Sequence, residues 1–174
     1  RDRDILNLLV AKNLYKSFGN INAVSDISIS LNVGEVIGFL GPNGAGKSTT
    51  MKILTGFLEA DSGSIEIKKI DLSKDPINAK SIIGYLPEGA PSYSDMTVKS
   101  FLYFVGKMRG LKDELLEKRL EIMLKDINLS EVQNQIIETL SKGYKRRVGI
   151  AQALIHDPDI LIFCLLYTSD AADD

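Results

Sequence analysis

Several features that would direct the interpretation of this 174-residue chain are missing or rare. Tryptophan is absent, and Cys164 is the only cysteine, which excludes an internal disulfide and a metal site built from cysteines. The longest apolar run, Ile160 to Tyr167, is far shorter than the roughly 20 residues that a membrane-spanning helix needs. The opening RDRDILNLLV also lacks the pattern of a signal peptide. We therefore expect a cytoplasmic protein without disulfides.

An excess of charge of one sign is also missing. The chain has 21 basic and 23 acidic residues, a formal net charge of −2. No overall positive field therefore attracts nucleic acid or anionic lipid. A hydrophobic content of 44% with 25% charged residues is typical of a globular domain. We expect one domain with a substantial core and no nucleic-acid partner.

The motif GPNGAGKS at residues 41–48 organises the rest of the chain. It matches the phosphate-binding pattern G-x-x-x-x-G-K-[ST] at every fixed position. Its glycines let backbone N–H groups approach phosphate oxygens, and the following helix N-terminus adds a partial positive charge. Lys47 would reach the β- and γ-phosphates, and the Ser48 hydroxyl would bind Mg²⁺. The alternative interpretation is a glycine-rich turn from strand to helix without a ligand.

Periodicity predicts an α/β arrangement around this motif. A helix is expected from Lys47 to Thr55, with Gly56 as its C-terminal signal. Phe18 is expected on a loop, one residue before Gly19. Residues 27–33 alternate as a half-buried antiparallel strand does, and the continuously apolar Val36–Leu40 fits a strand covered on both faces. The predicted strands cover residues 8–12, 27–33, 36–40, 63–69, 81–86 and 160–163.

A change of period predicts helices in the second half. Thr97 can cap a helix whose buried stripe consists of Val98, Phe101, Leu102, Val105 and Met108. A second stripe consists of Leu116, Leu120, Met123, Leu124 and Ile127. No strand is expected between about residues 95 and 155, so a helical insertion interrupts the α/β core.

The stretch LSKGYKRRVGIAQALIHDPDILIF, residues 140–163, distinguishes among the many classes of phosphate-loop protein. It resembles the signature segment of the ATP-binding cassette (ABC) ATPases, with the helix and strand that lead to the Walker B carboxylates in that family. Together with GPNGAGKSTT, the resemblance covers residues 4–163. It implies an α/β fold with a RecA-like P-loop NTPase core, an antiparallel β subdomain and a helical insertion at about 92–150, incomplete at the C-terminus.

The resemblance also implies roles for individual residues. Leu140-Ser141-Lys142-Gly143-Tyr144 stands where the family has L-S-G-G-Q, so Ser141 and Gly143 would face the γ-phosphate of ATP held by the other subunit of a head-to-tail dimer. Phe18 matches the aromatic residue that stacks on adenine. Glu88 stands where the family usually has the glutamine that touches Mg²⁺ and couples to the membrane subunit. The implied contacts to ATP within the subunit further include Gly41, Asn43, Gly44, Ala45, Gly46, Lys47, Ser48 and Thr49, and the implied Mg²⁺ contacts are Ser48 and Glu88.

Two carboxylates of the family have no counterpart. After Phe163 the family continues with Asp-Glu-Pro-Thr, whereas this chain has Cys164 and Leu165 at the Asp and Glu positions. The only histidine, His156, precedes the Walker B strand instead of following it, so we interpret it as a helix-end residue. Phosphoryl transfer depends on positioning and charge neutralisation. We therefore expect the intact parent protein to hydrolyse ATP. The 174-residue chain, which lacks the two carboxylates, is expected at best to bind nucleotide.

Structural interpretations compete with some of these roles. Phe18 could cover the edge of the core, and Glu88 could be a solvated loop carboxylate. The basic run Lys142, Lys145, Arg146 and Arg147 is interpreted as the polar face of the signature helix and not as a nucleic-acid site, because it has no interleaved aromatic residues.

The two ends differ in character from the rest of the chain. Residues 1–3 and 164–174 resemble translated sequencing adapter, so the native domain is expected to be 4–163. The leading functional hypothesis is the ATPase subunit of an ABC exporter, bound to the inner face of the membrane through a permease and paired as a homodimer or heterodimer. The rival hypotheses are a soluble, non-transporter ABC ATPase and, if the tail is native, a non-hydrolytic nucleotide-binding regulator.

Overall fold

A computed structural model describes residues 7–87, Tyr93 and 95–164. The chain divides into two compact units, Arg1–Ile83 and Gly84–Asp174. The described part contains no helix long and apolar enough to cross a membrane.

The first unit is built on a four-stranded antiparallel sheet. Its strands are β1 (Asn7–Phe18), β2 (Ile21–Asn32), β3 (Ser62–Ile67) and β4 (Ile70–Asp71), in the order β2-β1-β3-β4. Along β2, the apolar residues from Ile27 to Leu31 are half-buried and the serines between them are exposed. The predicted half-buried antiparallel strand is therefore confirmed as far as Asn32, whereas Val33 lies in the following turn and is 64% exposed.

Two turns lie elsewhere than predicted. The segment assigned to a loop around Phe18 is the end of β1, and the turn is restricted to Gly19 and Asn20. Lys68 and Lys69, predicted to continue a strand, form the β3–β4 turn with positive φ angles of 48° and 67°. In both places cross-strand pairing decides the outcome: Phe18 pairs with Ile21, and Ile67 pairs with Ile70. Local composition does not indicate such partners.

The prediction of a strand at Val36–Leu40 is wrong. Residues 35–42 form no regular element, and the side chains of Val36 and Leu40 are 95% and 94% exposed. An apolar strand is buried on both faces only when neighbouring strands and helices cover it. Within the described ranges no strand pairs with this segment, so its apolar side chains remain in contact with solvent.

From residue 7 onwards, two helices complete the first unit. Helix α1 (Lys47–Leu54) ends, as predicted, just before Gly56, whose φ is 69°. Helix α2 (Pro76–Ser81) was not predicted, although its capping signal is in the sequence: the Asp75 side chain accepts a hydrogen bond from the Asn78 N–H at 3.3 Å, and proline follows at the first helical position. As a result, the strand predicted from residue 81 begins only at Ile83.

Among the described residues, the second unit contains a two-stranded sheet and three α-helices, with short 3-10 helices at Ser130–Val132 and Ile137–Thr139. Strand β5 (Ile83–Leu86), whose first residue closes the first unit, pairs with β6 (Ile160–Phe163). The helices are α3 (Val98–Met108), α4 (Asp113–Asp126) and α5 (Lys142–Leu154). As predicted, the Thr97 hydroxyl caps α3 by accepting a hydrogen bond from the Ser100 N–H at 3.2 Å. The structure thus has helices and no named strand throughout 98–154.

The three helices share one apolar core. Its fully buried members include Val98, Leu102, Leu120, Leu129, Ile137, Ala151 and Ile155. Met108, predicted in the buried stripe of α3, is 73% exposed. The buried face of α3 instead runs through Gly106, where a Cβ would lie 2.2 Å from Leu116 Cδ1. Because α4 packs against α3 at Gly106, Met108 lies outside the contact between the two helices.

A backbone bridge joins the start of α3 to the chain that precedes α5. The N–H groups of Val98 and Lys99 donate to the carbonyl oxygens of Gln135 and Gln133, at 3.1 and 2.9 Å. The Ile137 N–H donates to the Met96 carbonyl at 2.9 Å. These bonds satisfy N–H groups that the first turn of a helix leaves without an intrahelical partner. We call Met96–Lys99 together with residues 133–137 the backbone bridge.

Candidate functional site

The predicted phosphate-binding motif forms one tight loop at the start of α1. The Lys47 ammonium donates to the carbonyl oxygens of Gly41 and Pro42, both at 2.6 Å. The Ala45 N–H donates to the Pro42 carbonyl at 3.2 Å. The loop therefore curls around the ammonium group of Lys47. Asn43, Gly44 and Gly46, the other predicted residues of the loop, lie in the same turn of chain.

Gly46 joins this loop to the sheet. Its φ of 81° is in the left-handed region, and a Cβ at this position would lie 2.1 Å from the Ala23 carbonyl oxygen. Ala23 is the extra residue of a β-bulge, because Val24 pairs with Lys16 while Asn22 pairs with Ser17. Only glycine allows this close approach of backbone to backbone.

Helix α1 is fixed just behind Gly46. The buried Thr50 donates its hydroxyl to the Gly46 carbonyl at 2.9 Å, and its N–H donates to the same oxygen at 2.8 Å. Ile53 and Leu54 bury the opposite end of the helix. The loop and the helix are therefore held together by the β-bulge, by Gly46 and by the buried Thr50.

The charge pattern suits an anion. Helix α1 begins at Lys47, and its first turn contains no acidic residue that would oppose a phosphate. The N-terminus of a helix carries about half a positive elementary charge, to which Lys47 adds a full one. Ser48 and Thr49 follow in that first turn, where a hydroxyl can bind phosphate oxygen or its Mg²⁺. The residues present therefore fit a Mg²⁺-bound polyphosphate.

Phe18 is available for a stacking contact. It is 50% exposed at the end of β1, where it pairs with Ile21. The Lys16 ammonium lies 5.7 Å from the centroid of its ring and forms an ion pair with Asp61 at 2.7 Å. The hydrogen bond from Lys16, and then that from the Ser17 N–H, hold the pKa of Asp61 below its usual range. The ring is thus supported by a fixed cation.

Phe18 and the phosphate loop lie at the same end of the β1–β2 hairpin. Ile21 pairs with Phe18, and Ala23, which contacts Gly46, is two residues further along β2, roughly 7 Å at the rise of a strand. The sequence interpretation missed both Lys16 and Ala23. A signal for Lys16 existed: it stands two residues before Phe18, so the two side chains share a face if the segment is a strand.

The signature residues lie in the second unit, at the N-terminus of α5. Ser141 is the N-cap, and its hydroxyl accepts a hydrogen bond from the Tyr144 N–H at 3.4 Å. Ser141 and Gly143 are exposed. The Arg147 guanidinium lies 5.1 Å from the centroid of the Tyr144 ring. The predicted basic run is, as expected, the exposed side of this helix, while Val148 and Ala151 face the core.

The remaining predictions concern the Mg²⁺ contact of Glu88 and the positions Cys164 and Leu165, where the family has two carboxylates. Glu88 and Leu165 lie outside the described residues. Cys164 directly follows β6, and its N–H donates to the Leu86 carbonyl at 2.9 Å. His156 lies two residues beyond the end of α5, the helix-end position that was expected. Within the described ranges no cluster of three His, Cys, Asp or Glu side chains forms a metal site.

Comparison with known proteins identifies the relatives of this chain. The sequence model of the family described as "ABC transporter" matches residues 24–163. The linearmycin resistance ATP-binding protein LnrL of Bacillus subtilis is 41% identical over 155 residues, which cover 89% of this chain and 50% of that protein. The lipopolysaccharide export system ATP-binding protein LptB of Haemophilus influenzae is 36% identical over 160 residues, covering 90% and 66%.

Solved structures agree with these sequence relatives. The structure described as the ATP-binding subunit of an ABC transporter superposes with a TM-score of 0.82 at 30% identity, covering 90% of this chain and 65% of that one. The chain thus spans half to about two thirds of the length of these three relatives. The matched range includes both the phosphate loop and the signature segment. This chain belongs to the ATP-binding domain family of ABC transporters.

Proposed function

We propose that the intact protein is an ABC transporter subunit that binds and hydrolyses ATP to drive export through a separate membrane permease. The observation that carries this proposal is the closed loop of residues 41–47 around the Lys47 ammonium, set at the N-terminus of α1. Phosphoryl transfer depends mainly on positioning and on neutralising charge, which this arrangement provides. The names of the relatives support export, since one is a linearmycin resistance protein and one belongs to a lipopolysaccharide export system.

Each site residue has a distinct task in this proposal. Lys47 exchanges its two loop carbonyls for the β- and γ-phosphates, and backbone N–H groups of residues 41–49 bind the remaining oxygens. Phe18 stacks on the adenine ring, and Ser48 with Glu88 holds Mg²⁺. The bound Mg²⁺ supplies charge neutralisation at the phosphates. Ser141 and Gly143 act on the nucleotide of a second ATPase subunit.

The same proposal defines partners and location. Two ATPase subunits, identical or different, pair head to tail, and a permease docks near Glu88–Tyr93. The subunit is then cytoplasmic and peripheral on the inner face of the membrane.

The chain as written is proposed to bind nucleotide without turning it over. Cys164 and Leu165 occupy the positions where carboxylates for the metal and the attacking water are needed. We attribute residues 1–3 and 164–174 to adapter-derived sequence and residues 4–163 to the native domain, in keeping with a family match that ends at Phe163. Long-read sequencing of the source DNA tests this attribution: codons for Asp-Glu after Phe163 would support it, and a native CLLYTSDAADD would instead favour a nucleotide-binding regulator.

The decisive experiment is Lys47→Ala in the intact subunit, with Lys52→Ala as the matched control. Both lysines are on α1, but Lys52 is exposed in the last turn, away from the loop. We expect Lys47→Ala to lower ATP turnover by about 100-fold or more, because it removes the charge that faces the phosphates. Lys52→Ala is expected to behave as the wild type. Steady-state ATP hydrolysis measures the difference, and unchanged turnover in Lys47→Ala would contradict the assignment.

A further inference from the structure

The C-terminal end of the signature helix is held by a side chain from another helix. Arg119, on α4, donates from Nη2 to the Leu154 carbonyl at 2.8 Å and from Nε to the Ile155 carbonyl at 3.1 Å. Its Nη2 also lies 3.2 Å from Asp157 Oδ1. Helix α5 has no basic residue in its own last turn. Arg119 therefore supplies the positive charge that the negative end of this helix favours.

The shape of the guanidinium group suits this contact. Two N–H groups in one plane reach two successive carbonyl oxygens, so they set an orientation as well as a distance. A lysine would keep the charge but not the fork of donors. The side chain of Arg119 is only 16% exposed, so water competes little for these bonds.

Arg119 binds the start of the segment that connects α5 to β6. Gly84 of β5 lies against the same end of α5, since a Cβ there would be 2.2 Å from the Ala153 carbonyl oxygen and 2.8 Å from Pro158 Cγ. The segment from Ile155 to Pro158 then leads into β6. The signature helix and the strand that precedes Cys164 are therefore fixed at one junction.

A small tilt at this junction has a large effect at the other end of α5. The helix has 13 residues, so it is about 20 Å long at 1.5 Å per residue. A tilt of about 5° about its C-terminal end displaces Ser141 by roughly 2 Å over that length. Misplacing a catalytic contact by about 1 Å can cost as much as about 100-fold in rate.

We infer that Arg119 is a positioning residue for ATP hydrolysis: by holding the end of α5, it aims Ser141 and Gly143 at the nucleotide of the second subunit. This inference rests on the proposed function. Arg119 makes its contacts within the second unit, whereas the phosphate loop belongs to the first. Its loss is therefore expected to affect turnover and not the binding of nucleotide to a single subunit.

The test compares Arg119→Met and Arg119→Lys with Lys118→Met in the intact subunit. Lys118 is the exposed neighbour of Arg119 on α4 and serves as the matched control. The measurements are the Kd of the isolated subunit for a fluorescent ATP analogue, the kcat and KM of ATP hydrolysis, and the melting temperature. For Arg119→Met we expect kcat to fall about tenfold or more with Kd changed less than about twofold. Arg119→Lys should recover part of kcat, and Lys118→Met should match the wild type.

The outcomes separate positioning from general damage. A kcat that stays at the wild-type value, or a Kd that weakens as much as kcat falls, would overturn the role of Arg119 alone. If Arg119→Met does not fold, Arg119→Lys decides by the same comparison: a fall in kcat at constant Kd supports the proposal, and an unchanged kcat overturns it. Absence of both binding and turnover in the wild type would instead refute the proposed function, and this inference with it.

Discussion

The helical core of the second unit and the segment before the phosphate loop in the first unit bury their apolar residues to very different extents. In the second, Val98, Leu102 and Leu116 are completely buried among three helices that follow one another along the chain. In the first, Val36 and Leu40 are almost fully exposed just before the phosphate loop. Helices can bury a stripe against neighbours close in sequence, whereas a central strand depends on partners that are distant in sequence. A continuous apolar run is therefore a weaker guide to local structure than an amphipathic period.

The largest expected effect comes from Leu102→Ala, compared with Leu40→Ala. Leu102 is fully buried in the helical core, so its truncation should lower the free energy of unfolding of the second unit by about 2–5 kcal/mol. Leu40 is exposed, and the same truncation there should change stability by less than about 0.5 kcal/mol. Urea unfolding monitored by circular dichroism measures both. Equal losses would show that residues 36–40 are buried after all.

Gly46→Ala should have the next largest effect, with Gly44→Ala as its control. Both glycines have φ near +80°, but only at Gly46 does an added Cβ meet backbone, the Ala23 carbonyl oxygen at 2.1 Å. We expect Gly44→Ala to lower the free energy of unfolding by about 1–2 kcal/mol from backbone strain alone. Gly46→Ala adds steric overlap and should cost about 2–4 kcal/mol. Similar losses in thermal unfolding for the two variants would argue against the contact between loop and bulge.

The smallest expected effect concerns the acid sensitivity of the first unit. Hydrogen bonds from the Ser73 hydroxyl and N–H lower the pKa of Asp71 from 3.8 to about 2. Because this pKa is lower in the folded state, Asp71 contributes stability that is fully present above pH 3.8 and is lost as the pH falls through about 2. In Ser73→Ala, the pKa of Asp71 should return towards 3.8.

The control for this prediction is Ser81→Ala. The Ser81 hydroxyl donates to the Asn78 carbonyl and not to a carboxylate, so its removal should leave the pKa of Asp71 unchanged. Carboxyl carbon shifts followed by NMR during acid titration measure the value. An Asp71 pKa that is the same in Ser73→Ala and in the wild type would contradict the assigned cause.

Local chemistry made part of this structure predictable. The phosphate-loop motif predicts its own turn and helix, and the Thr97 hydroxyl caps α3 where the sequence predicts it. Asp75 followed by Pro76 carried an equally local signal for α2, which the interpretation overlooked. Such features depend on residues only three or four positions apart, and the necessary information is therefore contained in a short stretch.

The parts that could not be predicted depend on distant partners. Lys16 is fixed by Asp61, which is 45 residues away, and Gly46 needs room because of a bulge at Ala23. Arg119 reaches carbonyl groups 35 and 36 residues further along the chain. No periodicity or motif encodes such pairs, since each exists only after the chain has folded.

The backbone bridge determines how freely the side chains of residues 133–137 can vary. Its bonds use main-chain atoms of Val98, Lys99, Gln133 and Gln135, so substituting the side chains of the two glutamines does not remove them. Only a proline at a donating position, Lys99 for instance, would eliminate a bond directly. The exposed side chain of Gln135 can therefore change in size or charge while the backbone that leads to Ser141 keeps its conformation. A protein built this way can vary the contacts of one surface loop without changing the start of the helix that follows it.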